Sequence, residues 1–136
     1  MNTLKNPGLA LGICLLLTGC VPEVGNPDLA ATWTCHETSQ IFLKSIKGSS
    51  VYTVTFDRDA VNLDKYYIDN FYKLGNGVKV YVLKDGYSIT LLKQTVDGFV
   101  FEGSVTINDT FDLINMTYTA DDSGGVVDHV TAEYSR

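Results

Sequence analysis

The side chains of this 136-residue chain that are best suited to covalent chemistry are its three thiols, Cys14, Cys20 and Cys35. Cys20 is distinguished by its position, because it follows a short segment that contains Lys5 and then an apolar run from Leu9 to Leu17. A bilayer span needs about 20 apolar residues, so this run is too short to be one. It has the proportions of a secretory signal peptide, which ends in small residues at the cleavage site. We therefore expect residues 1–19 to be removed, so that Cys20 begins the mature chain.

The residues at this position, Leu17-Thr18-Gly19-Cys20, resemble the lipobox of bacterial lipoproteins. In that family the cysteine thiol takes a diacylglyceryl group, and the new amine is usually acylated as well. The resemblance thus implies lipidation of Cys20 and a stable membrane anchor, since a single acyl chain alone gives only marginal binding. In Gram-negative lipoproteins an Asp after the cysteine usually causes inner-membrane retention. Val21 stands there instead, which implies the outer membrane, and the two spaced acids of residues 21–28 favour its periplasmic face.

The mature chain is predicted to consist of a tether over residues 20–29 and one domain over residues 30–136. Pro22, Gly25 and Pro27 prevent helix formation in the tether. Removal of residues 1–19 takes away Lys5, one of ten basic side chains, and none of the 16 acidic ones, so the net charge falls from −6 to −7. Such a charge argues against a nucleic-acid partner, which is bound largely through Lys and Arg.

The other groups with chemical potential favour a non-catalytic protein. Cys35 follows Trp33 by two residues, so on a strand both face the same way, and we expect a small buried hydrophobe. No zinc-protease, nucleophile-elbow or phosphate-loop motif occurs. His36 and His129 lie on opposite terminal strands, and we expect surface histidines there rather than a metal site. No cofactor, metal or enzymatic activity is predicted.

The residues after the tether predict an all-β domain, because they are rich in Val, Ile, Tyr, Phe and Thr with turn residues at short intervals. Eight strands are predicted, at about 31–38, 50–57, 65–73, 78–84, 87–93, 99–107, 110–119 and 126–135. Short turns such as Asn76-Gly77 and Asp85-Gly86 suit hairpins and indicate an antiparallel meander. The segment from Gln40 to Lys47 is predicted as a lid, a helical turn or a strand extension.

Alternation predicts which side chains share a face. In the sixth strand one face carries Phe99, Phe101, Gly103, Val105 and Ile107. In the seventh it carries Ile114, Met116 and Tyr118, and in the eighth Val130, Ala132 and Tyr134. Pairing of the last strand with the first would close the sheet into a barrel and remove its edges. A sandwich of two sheets is the alternative.

Ala31-Thr32-Trp33-Thr34 opens the first strand much as a Gly-x-Trp motif opens the lipocalin and calycin barrels. The chain also resembles small lipocalin-like lipoproteins of Gram-negative bacteria, through residues 32–35, 68–72, 75–80 and 94–98. This resemblance covers most of the mature chain. It implies a closed or nearly closed barrel and an envelope location, and it implies no particular activity.

An eight-stranded barrel is either filled by its own side chains or holds one small ligand. If the aromatic residues point inward they favour a packed core, although they could also line an apolar pocket. The candidate ligand-binding residues are Trp33, Phe56, Phe71 and Phe101. The predicted third strand is aromatic on both faces, with Tyr66 and Tyr72 on one and Tyr67 and Phe71 on the other, which makes Tyr66, Tyr67 and Tyr72 a candidate interaction surface.

Two functions follow from this pattern. The first is a lipid-anchored, non-catalytic protein that binds a small apolar ligand in the barrel or at its mouth. The alternative is a protein-interaction module, either a hydrolase inhibitor or an accessory subunit that contacts another envelope protein.

Overall fold

The strands alternate apolar and polar residues, with the β-branched and aromatic types that fit a pleated, half-buried surface. The computed structural model describes residues 28–41 and 49–136. The strands are β1 (Ala31–Ser39), β2 (Ser49–Arg58), β3 (Lys65–Asp69), β4 (Lys79–Asp85), β5 (Ser88–Val96), β6 (Phe99–Ile107), β7 (Leu113–Asp121) and β8 (Val127–Ser135), with a 3-10 turn at Phe71–Lys73. The predicted signal peptide, the lipobox with Cys20 and most of the predicted tether lie outside the described residues. So do residues 42–47 of the segment predicted as a lid, a helical turn or a strand extension.

Each strand pairs antiparallel with the next, and β1 also pairs with β8. In the closing pair Cys35 lies opposite Tyr134, and Thr38 lies opposite Thr131. The predicted meander and closed barrel are therefore confirmed, and the two-sheet sandwich is excluded, because all eight strands belong to one continuous sheet. Closure leaves no open sheet edge in this barrel.

The predicted faces of the last three strands are also confirmed. In β6, Phe101 and Val105 are buried, whereas Glu102 and Ser104 are exposed. The other two strands bury the predicted residues, which are Ile114, Met116 and Tyr118 in β7 and Val130, Ala132 and Tyr134 in β8. The alternation of inward and outward side chains thus identifies which residues face the interior, wherever a strand continues without interruption.

The third strand is shorter than predicted. β3 ends at Asp69, so the prediction of a strand over residues 65–73 is wrong for its last four residues. Asn70, Tyr72 and Lys73 adopt positive φ angles of 62°, 55° and 57°. These values lie in the left-handed region, far from the β region that a strand requires.

Side-chain hydrogen bonds hold this turn. The Asn70 side-chain amide donates to the Thr53 carbonyl, and its oxygen accepts from the Gly75 N–H. Asparagine is one of the few residues that adopts left-handed geometry readily, and its side chain competes with strand pairing. Because the turn breaks the alternation, Tyr66 and Phe71 are both buried in the barrel instead of lying on opposite faces.

The seventh strand begins at Leu113, three residues later than predicted. The side-chain oxygen of Asn108 accepts hydrogen bonds from the N–H groups of Asp112 and Leu113, so this connection is a loop and not a tight hairpin. Phe111, which has a φ of 57°, turns inward from the loop and is buried.

Strand direction gives the barrel two distinct ends. The end we call the closed end carries residues 28–30, Arg136 and the connections 59–64, 86–87 and 108–112. The other, the open end, carries residues 40–41 and the connections 70–78, 97–98 and 122–126.

Residues from both chain termini fill the closed end. Leu29 is completely buried, and its carbonyl accepts a hydrogen bond from Trp33 Nε1 at 3.0 Å. Arg136 lies over the Trp33 ring and donates to the carbonyls of Phe111 and Asp28. The packed domain therefore already includes Leu29, so the tether predicted over residues 20–29 extends too far, because a fully buried leucine belongs to the core.

Candidate functional site

The four predicted ligand-binding residues are core residues of the barrel. Trp33, Phe71 and Phe101 have no exposed surface, and Phe56 is 1% exposed. Trp33 contacts Phe56 with 5.5 Å between ring centres, and Phe56 contacts Tyr134 at 5.9 Å. These three rings fill the half of the interior toward the closed end.

A second group of rings fills the half toward the open end. Phe71 lies 5.2 Å from Phe101 and 4.7 Å from Tyr118, measured between ring centres. Tyr72 and Phe99 lie above them, 5.5 Å apart, and both also contact Phe101. Tyr72 and Phe99 are only half-buried, so they form the upper surface of this group.

A buried carboxylate, Glu37, lies among these rings. It is 3% exposed, and its Oε2 atom accepts hydrogen bonds of 2.6 Å from both the Tyr52 and Tyr118 hydroxyls. Burial raises the pKa of Glu37, and the neighbouring charge of Asp128 raises it further, although the two tyrosine hydrogen bonds and Lys73 oppose the shift. Glu37 is therefore an acceptor for hydroxyl groups in an environment that disfavours its charge.

A second buried carboxylate, Asp128, lies nearer the rim. It has no exposed surface, and its Oδ2 atom accepts hydrogen bonds from the Ser39 hydroxyl and from the Tyr72 hydroxyl at 2.7 Å. Its Oδ1 atom accepts from the Ile41 N–H at 3.1 Å. Burial and this contact with Asp128 raise the pKa of Tyr72, which keeps its hydroxyl protonated as a donor. Asp128 thus joins β1, β8 and the 3-10 turn at the open end.

Exposed apolar side chains border this polar group. Ile41 is 40% exposed, Val126 61% and Val127 42%. Together with Gln40 they line a groove of about 350 Å³ on the rim. The open end therefore combines half-buried rings, exposed aliphatic side chains and buried carboxylates.

The three tyrosines predicted as an interaction surface do not form one. Tyr66 is 1% exposed and donates its hydroxyl hydrogen bond to Asp28, so its inclusion in an exposed surface is wrong. Tyr67 is half-buried on the outer wall, where the Lys65 ammonium lies 4.9 Å from its ring centre and 4.6 Å from that of Tyr81. Tyr72 lies within the 3-10 turn that follows β3 and belongs to the open end.

Cys35 is buried, as predicted. Burial raises the pKa of its thiol to about 12, which leaves almost no thiolate at neutral pH. His36 and His129 are both exposed, opposite Glu133 and Thr119 respectively. Among the described residues, no group of three His, Cys, Asp or Glu side chains is placed to hold a metal ion.

Glu37 and Asp128 were not identified as site residues from the sequence, although the signal was present. Glu37 continues the inward series of Trp33 and Cys35, and Asp128 precedes the inward series of Val130 by two residues. A carboxylate at such a position is expected to be buried with hydrogen-bond partners. The partners themselves come from distant strands, so the alternation could not have identified them.

No protein-family model matches this chain, and the search of curated proteins also finds no match. Within residues 28–41 and 49–136, no helix has the length and apolarity to cross a membrane.

Proposed function

We propose that this protein is a non-catalytic lipoprotein, anchored through Cys20 to the periplasmic face of the outer membrane, that binds a small apolar ligand at the open end of its barrel. The observation that carries the ligand-binding proposal is the composition of that end. Half-buried Tyr72 and Phe99 lie beside an exposed aliphatic rim and above a buried carboxylate network. Apolar surfaces with a few convergent polar groups are typical of small-molecule sites.

A ligand at the mouth fits better than one in the interior. Trp33, Phe56, Phe71 and Phe101 are packed against other rings, so a ligand between them would have to displace several buried aromatic side chains. Displacing such rings is unfavourable, because protein interiors are closely packed. In this proposal Phe71 and Phe101 form the floor beneath the ligand, while Trp33 and Phe56 stabilise the barrel below.

The polar groups at the mouth would orient the ligand. The Tyr72 hydroxyl and the Asp128 carboxylate already form a hydrogen bond at the rim. A ligand with one hydrogen-bonding group could contact this pair while its apolar part covers Tyr72 and Phe99. Fixing a polar group in this way supplies specificity, and burial of apolar surface supplies affinity.

The anchor rests on the sequence at residues 17–20. Each buried CH₂ of an acyl chain contributes about 0.8 kcal/mol, so the two or three chains of a bacterial lipoprotein hold the protein stably at a membrane. The non-catalytic role is supported by the burial of Cys35 and by the raised pKa of its thiol. The exposed histidines lie on the outer wall of β1 and β8.

Native mass spectrometry of the protein purified from its own cells tests ligand binding. We expect an additional small-molecule mass on the wild-type protein and its loss from the Tyr72→Ala/Phe99→Ala double variant. Tyr72→Phe keeps the ring and removes the hydroxyl, so it should weaken retention less. Tyr87→Ala, at the closed end, is the matched control and should retain the ligand. Wild-type protein that carries no small molecule would contradict the proposal.

The anchor is tested separately, by intact-mass analysis of the membrane fraction. We expect the mature protein to begin at Cys20 with acyl chains attached, and we expect Cys20→Ala to lose both cleavage at this site and the added mass. Unmodified wild-type protein would contradict the anchor without bearing on the ligand.

A protein partner is the second candidate, and a specific surface favours it. Two further grooves, of about 430 and 370 Å³, lie on the outer face of β1, β8 and β7. The exposed residues Thr38, Thr131 and Thr117 stand in register across these three strands. Site-specific photocrosslinking from Thr131 in intact cells should capture an envelope protein if this face is an interface, with exposed Thr90 of β5, on the opposite side of the barrel, as the control position. Equal labelling from both positions would argue against it.

A further inference from the structure

Three exposed apolar side chains project from the closed end of the barrel. Val61 is 93% exposed, Leu63 56% and Tyr87 50%. Val61 and Leu63 lie in the loop 59–64 between β2 and β3, and Tyr87 lies in the turn between β4 and β5. The two connections are neighbours, because β3 pairs with β4 and the Lys84 N–H donates to the Asp64 carbonyl at 2.7 Å. Together we call these three side chains the apolar tip.

The loop that carries Val61 and Leu63 is held in place by hydrogen bonds of its own. Asp59 Oδ1 accepts from the N–H groups of Val61 and Asn62 at 2.8 and 2.7 Å. The Leu63 carbonyl accepts from Arg58 Nε at 2.8 Å. The loop thus presents Val61 and Leu63 outward while hydrogen bonds with nearby residues hold its backbone in place.

The chain enters the barrel at this same end. Asp28 is hydrogen-bonded there through its side chain to the Tyr66 hydroxyl and through its carbonyl to Arg136. Asp28 is only the eighth residue after Cys20. Eight residues span at most about 28 Å when fully extended. A lipid on Cys20 therefore keeps the closed end within a short distance of the membrane, where a high effective concentration favours even weak contacts.

The charge of the loop permits such a contact. The chain as a whole has a net charge of −6, but in residues 58–65 Arg58 and Lys65 balance Asp59 and Asp64. The Asp59 carboxylate is also directed onto the loop amides, which hold its pKa below its ordinary value. The loop that carries Val61 and Leu63 is thus neutral as a whole, so its own charge does not repel an anionic lipid surface.

We propose that the closed end rests on the lipid surface, with Val61, Leu63 and Tyr87 inserted at the boundary between headgroups and acyl chains. The proposal rests on the lipid anchor proposed above. Exposed aliphatic side chains gain from leaving water, and tyrosine is favoured at this boundary because its ring is apolar and its hydroxyl polar. The barrel then stands on its closed end, and the open end faces away from the membrane.

Single-cysteine labelling of the full lipidated protein tests this orientation. With Cys20 acylated and Cys35 buried, an introduced surface cysteine is the reactive thiol of the mature chain. Val61→Cys places an environment-sensitive fluorophore at the apolar tip. Val126→Cys at the open end and Val51→Cys on the outer wall are matched controls, since both native valines are 61% exposed. Each labelled protein is reconstituted into vesicles of phosphatidylethanolamine and phosphatidylglycerol, with and without nitroxide-labelled phospholipid.

We expect a blue shift of emission and loss of intensity to nitroxide lipid for the probe on Val61→Cys, and water-like emission for both controls. Water-like emission from all three probes on vesicle-bound protein would overturn the docking and leave the anchor intact. A blue shift at Val61→Cys without lipid quenching would also overturn it and indicate a protein contact, such as a second copy. Quenching at Val126→Cys instead would overturn the orientation. Failure of the protein to float with the vesicles would overturn the anchor and, with it, this inference.

Discussion

The guanidinium of Arg136 lies over the indole ring of Trp33, with 4.5 Å between Arg136 Cζ and the ring centre. Trp33 belongs to β1, and Arg136 follows the last strand, so the contact joins the two ends of the folded domain. It occurs where β1 and β8 pair, and Arg136 also donates to carbonyls of Phe111 and Asp28. One side chain thereby connects the ring, the β6–β7 loop and the segment that enters the barrel.

Arg136→Ala should destabilise the barrel by about 1–2 kcal/mol, through loss of a cation–π contact and two hydrogen bonds. Urea unfolding followed by the fluorescence of Trp33, the single tryptophan, measures this effect. Arg136→Lys keeps the positive charge but lacks the planar guanidinium group. Its stability should therefore lie between that of wild type and that of Arg136→Ala. Equal unfolding midpoints for all three proteins would show that the contact contributes nothing to stability.

Glu37 should make the barrel less stable as the pH rises. Its pKa in the folded protein lies above the ordinary value of 4.5, so the folded state holds the proton more tightly than the unfolded chain does. The contribution of this group to stability is therefore fully present below pH 4.5 and is lost as the pH rises through the folded pKa. Glu37→Gln should remove this dependence and make the protein more stable than wild type at pH 7. Unfolding measured across this pH range, with exposed Glu102→Gln as control, tests it. A wild-type profile that Glu37→Gln leaves unchanged would contradict the prediction.

Removing the Tyr134 hydroxyl and removing the Tyr118 hydroxyl should have opposite effects on the stability of the barrel. The Tyr134 hydroxyl is buried and makes no hydrogen bond to a nitrogen or oxygen atom of the described residues, and the Cys35 thiol beside it is only a weak hydrogen-bonding group. Tyr134→Phe should therefore be neutral or stabilising by up to about 1 kcal/mol, whereas Tyr118→Phe removes a hydrogen bond to buried Glu37 and should cost about 1–3 kcal/mol. Denaturant unfolding of the two variants compares them directly. A larger loss from Tyr134→Phe than from Tyr118→Phe would refute this account.

Gly103 should not tolerate a side chain. A Cβ atom there would overlap the Thr117 carbonyl oxygen and lie 2.6 Å from Tyr118 Cβ on the neighbouring strand. Gly103→Ala should thus force β6 and β7 apart and cost about 3 kcal/mol, near the upper end for an overpacked core. The neighbouring Ser104→Ala, on the outer face, should change the thermal unfolding midpoint little. Similar midpoints for both variants would mean that the strands separate without penalty.

Cys35 should resist thiol reagents in the folded protein. Burial raises its pKa to about 12, so both access and thiolate formation are suppressed. Maleimide labelling of the purified mature protein at pH 8 should be slow in buffer and rapid in urea. An exposed variant cysteine, Val51→Cys, provides the fast reference in the same sample. Rapid native labelling at Cys35 would show that the barrel wall opens there.

Most of the barrel was predictable because its strands follow a simple period. In β1, Trp33, Cys35 and Glu37 alternate with outward residues, and the same holds for Val130, Ala132 and Tyr134 in β8. Hairpin residues such as Gly77 and Gly86, both with positive φ, also indicated the order of pairing. These are local properties, and each is readable within a few residues.

Errors arose where a side chain competed with the strand. Asn70 ends β3 through bonds to Thr53 and Gly75, and Asn108 delays β7 through bonds to Asp112 and Leu113. The partners of Asn70 include a residue 17 positions away. Propensity alone could not reveal whether the pairing of β3 or this turn would be more stable.

The amino-acid sequence by itself determined the class of the fold, the inward faces of uninterrupted strands and the prediction of lipidation at Cys20, because each depends on local pattern. Only the tertiary structure decided that the barrel interior is packed with rings, that Tyr66 is buried, and that the domain starts before residue 30. It alone brought Glu37 and Asp128 together with tyrosines from β2, β7 and the 3-10 turn. Those contacts join residues as many as 81 positions apart. Such contacts depend on closure of the sheet, which no single segment of the chain encodes.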